Sequence, residues 1–115
     1  MTEQELIRCF QQALADIARL AGAIGEQHWQ QAFFDRARQT LANEALPARE
    51  RLRLACEQSH VFGGMGSWND SPPFSAAERG LLAEFEQTTA ALYEIRSAAI
   101  VHLRRRGSGQ GRVRV

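Results

Sequence analysis

Apolar residues recur every third or fourth position along most of the chain. Leu6, Phe10, Leu14, Ile17, Ala21 and Ile24 share one side of a helix, which turns once every ~3.6 residues. Thr2-Glu3-Gln4-Glu5 in front of them is a capping box, in which the Thr hydroxyl accepts from a free amide and Glu5 reaches back. Gly22 and Gly25 weaken the end of this helix. A second helix is predicted over residues 26–43, with Trp29, Phe33, Ala37 and Leu41 on one stripe and Phe34 beside it. Pro47 suits the first turn of a third helix, where its missing N–H costs nothing. Leu52, Ala55, Cys56 and Ser59 fall on one side of that helix and Leu54 on another, while Arg49, Arg51 and Arg53 are expected to face water. Ser75-Ala76-Ala77-Glu78 reads as a second capping box, opening a fourth helix that carries Leu82, Phe85, Thr89, Leu92, Arg96, Ala99 and Leu103 at coiled-coil-like spacing. Some ~28 residues at ~1.5 Å each make that helix ~42 Å long, more than a small bundle needs.

No convincing strand pattern or internal repeat appears. Short connections near residues 24 and 45 favour antiparallel neighbours. The expected fold is all-α: an up-down bundle of about four helices with a glycine-rich crossover loop. Residues 1–106 would form a single helical domain and residues 107–115 a flexible basic tail, the latter because Gly107-Ser108-Gly109-Gln110-Gly111 has linker composition.

The crossover loop departs from the composition of a plain connector. It reads Phe62-Gly63-Gly64-Met65-Gly66-Ser67-Trp68-Asn69-Asp70, followed by Ser71-Pro72-Pro73-Phe74. Three glycines in four residues permit unusual turns or an anion-binding nest of amides. Phe62, Met65, Trp68 and Phe74 are large and apolar. Two roles fit: closing the end of the bundle, or presenting a surface to a partner. The pattern is neither GxGxxG after a strand nor a Walker loop, and the chain contains no lysine to complete the latter.

Charge adds an asymmetry. The net charge is +1 from 14 basic and 13 acidic residues, and every basic residue is arginine. Five arginines lie in residues 104–115; residues 1–103 hold nine against thirteen acids, a net of −4. The body is acidic and the end is basic. Arg104-Arg105-Arg106 with Arg112 and Arg114 suggests nucleic acid, but the acidic body and the lack of interleaved aromatics argue against it. No run approaches the ~18 apolar residues of a membrane span, and the polar N-terminus is unlike a secretory leader, so a cytoplasmic protein is expected.

Candidate chemistry is sparse. Cys56 and His60 are four apart and could form a nucleophile–base pair with Asp70 orienting the ring, against the plainer reading of a buried thiol and a helix-end histidine. His28, His60, His102, Cys9 and Cys56 make no metal-ligand spacing, and the two cysteines are expected to be free, buried thiols. Glu50 and Glu57 share a face, which a solvated acidic surface explains; Glu84 and Glu86 do not. No catalytic residue, metal or cofactor is assigned.

The nine residues 62–70 resemble the signature of a family of small bacterial helical proteins, a domain of unknown function, in which such a segment joins two helices. Proteins of this general kind are similar to immunity proteins, which block antibacterial toxins encoded beside them. The resemblance implies an inhibitor rather than an enzyme. Its partner-binding residues would be Phe62, Gly63, Gly64, Met65, Gly66, Ser67, Trp68, Asn69 and Asp70, with Trp68 and Met65 as apolar anchors. The partner would be a cognate protein toxin with a basic surface, drawn in by the acidic body. Alternatives are a small ligand-binding or enzymatic domain built on loop 63–70, or a homodimer or larger structural bundle joined through the long fourth helix.

Overall fold

Two of the helices end at glycine turns. The computed structural model describes residues 1–62 and 66–114, with side chains up to residue 105. Helix α1 (Glu3–Ala23) begins at the capping box: Thr2 Oγ1 accepts from the Glu5 amide at 3.1 Å, and Glu5 Oε1 accepts from the Thr2 amide at 2.9 Å. These bonds hold the Glu5 carboxyl below its ordinary value, the backbone bond from Thr2 contributing most. At the other end Gly25 takes φ +79°. The Glu26 amide then reaches Ala21 O at 2.8 Å and the Gly25 amide reaches Gly22 O at 3.2 Å. This doubly bonded reversal satisfies two of the carbonyls that a helix end leaves open.

The second predicted helix has three parts: α2 (Gln27–Trp29), a π turn (Gln30–Phe34) and α3 (Asp35–Ala42). In the π turn the Asp35 amide bonds to Gln30 O, five residues back. One extra residue in a turn rotates everything after it. Phe34, Ala37 and Leu41 come to line the fully buried stripe, while Trp29 and Phe33 sit half-buried on its flank. The even four-residue stripe expected from the sequence is therefore replaced by two offset ones.

Helix α4 (Ala48–Gln58) follows Pro47, which is its cap rather than part of its first turn. Leu52, Ala55, Cys56 and Ser59 are buried as their spacing predicts. Arg49 and Arg51 correct the expectation of a solvated row. Arg51 turns back along α3, giving Nε to Leu46 O and Nη1 to Leu41 O, both at 3.1 Å. Arg49 Nη2 donates to Leu103 O at 2.6 Å. Arg51 thus serves carbonyls at and after the end of α3, and Arg49 ties α4 to a carbonyl within α6.

The fourth predicted helix is divided. Ser75 lies inside a short helix, α5 (Pro72–Glu78), and caps nothing; its hydroxyl donates to Glu26 Oε2 at 2.8 Å. Gly80, at φ +70°, then reverses the chain as Gly25 does, with Leu81 N to Ala76 O at 2.8 Å and Gly80 N to Ala77 O at 3.1 Å. A single helix from Ser75 disregards this glycine. Helix α6 (Leu82–Arg114) is the long element. Phe85, Thr89, Leu92 and Ala99 are buried along it, whereas Leu82 is exposed. Its backbone is helical through the glycines at 107, 109 and 111, and its side chains past Arg105 lie outside the described residues.

Packing follows a ring. Helix α1 lies along α6 and α3, α3 lies along α4, and α4 closes back on α6. The fold is all-α, and no strand occurs among the described residues. Among those residues, no helix is long and apolar enough to cross a membrane.

Forcing a side chain into left-handed backbone costs about 1–2 kcal/mol. Gly25→Ala and Gly80→Ala are each expected to lower unfolding stability by about that much. Urea titration followed by circular dichroism reads the loss. At Gly80 nothing lies within 4 Å of an added Cβ, so a loss there comes from backbone strain alone.

Candidate functional site

The loop between α4 and α5 is fastened at its base. The Trp68 amide donates to Val61 O at 2.9 Å, so the two ends of the excursion meet. Within it, Asp70 Oδ2 accepts from the Gly66 amide at 2.8 Å, the Asp70 amide bonds to Ser67 O at 3.1 Å, and the Asn69 amide bonds to Ser67 Oγ at 3.3 Å. Asp70 thus already occupies an amide that an anion-binding nest would need. Gly63, Gly64 and Met65, expected among the partner-binding residues, lie outside the described residues.

Trp68 is not a surface anchor. Its side chain is completely buried, with the indole stacked on Phe85 at 5.0 Å and 22°. Phe34 and Trp29 meet it edge-on at 5.0 and 5.7 Å. A buried indole N–H needs an acceptor. Nε1 finds Thr89 Oγ1 at 2.9 Å, and Thr89 is itself buried. The loop's largest side chain therefore closes the bundle, the first of the two roles open from the sequence.

What the loop offers to solvent lies beside Trp68. Phe62 is half-buried and packs edge-on against Tyr93 of α6 at 5.4 Å, and Tyr93 is 56% exposed. These two rings, with Phe85 and Ala90, floor a groove of about 440 Å³, with Asn69 at its edge and Glu86 and Glu94 on its rim. Residues 86, 90, 93 and 94 fall on one face of α6 by helical spacing. Among the described residues, Glu84, Glu86 and Glu94 form no ion pair; some acids elsewhere do, Asp16 with Arg19, Asp35 with Arg38, and Glu50 and Glu57 with Arg53, whereas Glu44 and Glu78 do not. Tyr93 was invisible as a candidate in the sequence, where it reads as one more position of a long helix. Phe74, 72% exposed, stands apart on α5.

The proposed Cys56–His60–Asp70 constellation is not assembled. His60 Nδ1 lies 2.9 Å from Arg96 Nη2, and Asp70 is bonded within its own loop. Burial pushes the Cys56 thiol up to about 11, so it is protonated near neutrality and a poor nucleophile. Glu50 and Glu57 are bridged by Arg53, whose hydrogen bond holds the Glu50 carboxyl below its usual value. Cys9 is only half-buried and Cys56 is buried; both are free. Among the described residues, no three His, Cys, Asp or Glu side chains are gathered to hold a metal.

A larger cavity, about 670 Å³, lies between α1 and α3, but glutamines and the paired Arg38–Asp35 wall it, and no loop residue reaches it. No family model matches the chain, and no curated protein or solved structure does either.

Trp68→Ala is expected to lower stability by about 3–5 kcal/mol, as for other buried aromatics. Thr89→Val should lower it by about 1–3 kcal/mol by leaving the indole N–H unmatched. Chemical denaturation measures both, and near-zero values would remove Trp68 from the core. The Cys56 thiol is raised from 9.0 to about 11, so the native chain keeps a proton that the unfolded chain releases. Its contribution is complete below about pH 9 and is lost as pH rises towards about 11. Near pH 8, iodoacetamide should label Cys9 well before Cys56, as read by mass spectrometry.

Proposed function

We propose that this chain is a protein-binding inhibitor of the immunity type, which occludes the active site of a cognate toxin that presents a basic surface. The observation that carries the reading is the groove where loop 62–70 meets α6. Its floor is the exposed Tyr93 with the half-buried Phe62 packed against it, and its rim is acidic and unmatched among the described residues. Aromatic rings surrounded by polar groups are the usual energetic centre of an interface. Unmatched carboxylates add attraction at a distance and hasten association with a basic partner.

The anchor proposed is Tyr93, with Phe62 beside it, in place of Trp68. Trp68 contributes indirectly by fixing the base of the loop, so little ordering is left to be done on binding. Met65, outside the described residues, keeps its proposed role of contact residue. Catalysis by the loop is a weaker reading, because the Gly66 amide already serves Asp70. The site of action proposed is the cytoplasm.

Co-expression with the product of the neighbouring gene, followed by pull-down, tests the reading. Recovery of that protein and protection from its toxicity are expected. Tyr93→Ala should weaken the complex by about 2 kcal/mol or more while leaving the monomer folded. Glu86→Gln with Glu94→Gln should slow association most at low salt. Absence of any partner, or a Tyr93→Ala chain that binds unchanged, sinks the proposal. A mass that doubles with concentration and reverts in Tyr93→Ala would favour self-association through α6 instead.

A further inference from the structure

The seam between α4 and α6 has the opposite electrostatic character. A cavity of about 440 Å³ opens there, sharing no residue with the Phe62–Tyr93 groove. Its apolar wall is made by Cys56, Ile100 and Leu103, and its polar wall by Arg96, Arg104, Arg53 and His60. Glu57 also borders it, but that carboxylate is held by Arg53 Nη1 at 2.6 Å. Arg53 is spent on Glu57 and Glu50, so among the described residues Arg96 and Arg104 are the unmatched charges that make the cavity a basic spot on an acidic body.

Arg96 is the informative residue. It is half-buried, and its guanidinium meets neutral groups: Nε donates to Cys56 O at 3.0 Å, and Nη2 donates to His60 Nδ1 at 2.9 Å. Among the described residues it forms no ion pair. A guanidinium drawn partly out of water gains most from an anion, and none is supplied by the chain. Arginine can only donate, so His60 Nδ1 is the acceptor and the neutral ring carries its hydrogen on Nε2. The cavity therefore has surplus donors, no free carboxylate and an apolar wall.

We propose that the α4–α6 cavity binds a small organic anion, a carboxylate or phosphate monoester with an apolar body. The charged head would pair with Arg96 and Arg104, and the body would rest on Ile100 and Leu103. The cavity falls within the ~300–1,000 Å³ range of small-molecule sites. The fixed planar fork of Arg96, braced by two hydrogen bonds, suits a two-oxygen head group. This site does not depend on the inhibitor reading.

The full chain, labelled for nuclear magnetic resonance, is titrated at low salt with phenyl phosphate, benzoate, inorganic phosphate and neutral phenol. Saturable shifts confined to residues 53–60 and 96–104 are expected with phenyl phosphate or benzoate, with phenol inert and inorganic phosphate weaker than phenyl phosphate. Arg96→Gln and Arg104→Gln should each weaken binding about tenfold, the loss of one charge-assisted contact. Arg104 is exposed, so its variant decides the matter if Arg96→Gln fails to fold. Phenol binding as well as phenyl phosphate, inorganic phosphate binding equally, shifts centred on other residues, or affinity unchanged in Arg104→Gln would each overturn the site.

Discussion

One hydrogen bond and the rings around it organise this molecule. Burying an indole removes its N–H from water, and only a placed acceptor restores what is lost. Thr89 supplies it from the second turn of α6, so the loop residue Trp68 is docked at one height on that helix. Phe34 meets the same indole from just before α3, and Trp29 from α2. The π turn between those helices sets the two aromatics at the angle this contact uses. A connection, a helix irregularity and a polar residue on an otherwise apolar stripe thus satisfy a common requirement.

Much of the scaffold was legible because it rests on local rules. The capping box at Thr2 and Glu5 needs only neighbours in sequence, and the α1 stripe from Leu6 to Ile24 is buried throughout. Burial of Ser59 followed from spacing too, and its hydroxyl bonds to Ala55 O at 2.6 Å. Other features depend on partners far along the chain. Nothing near Arg49 in sequence announces that Leu103 O, 54 residues away, will take its guanidinium. Gly80 could have been read as tolerated within a helix; its left-handed turn is favoured because Leu81 and the hydrogen bonds to Ala76 and Ala77 close the end of α5. The loop's unusual composition was visible, but not its division of labour. Trp68 turned inward because an aromatic cavity and an acceptor awaited it, and Tyr93 was left outside beside Phe62.

The surface is sorted by sign along α6. Carboxylates at 84, 86 and 94 stand unmatched, whereas Arg96, two residues past Glu94 and so on the other side of the helix, and Arg104 lie towards α4. Such an arrangement gives a small chain an acidic face and a basic one on different sides of the same helix, and the charges exposed to water are further weakened towards one another by salt. Arg53 has a part in keeping the faces distinct: by clasping both Glu50 and Glu57, it neutralises the acids nearest the basic cavity.

The bond between Val61 O and the Trp68 amide has a consequence for how this protein can change. It is made by backbone, so it does not depend on which side chains lie between its ends, and the indole beyond it is held by the core. Lengthening the connection between those ends works little against that foundation, because extending a closed loop costs only about 0.6 kcal/mol per doubling. The connection between Val61 and Trp68 is thereby a place where added length costs the fold little, and where the chain can be extended by evolution or by design.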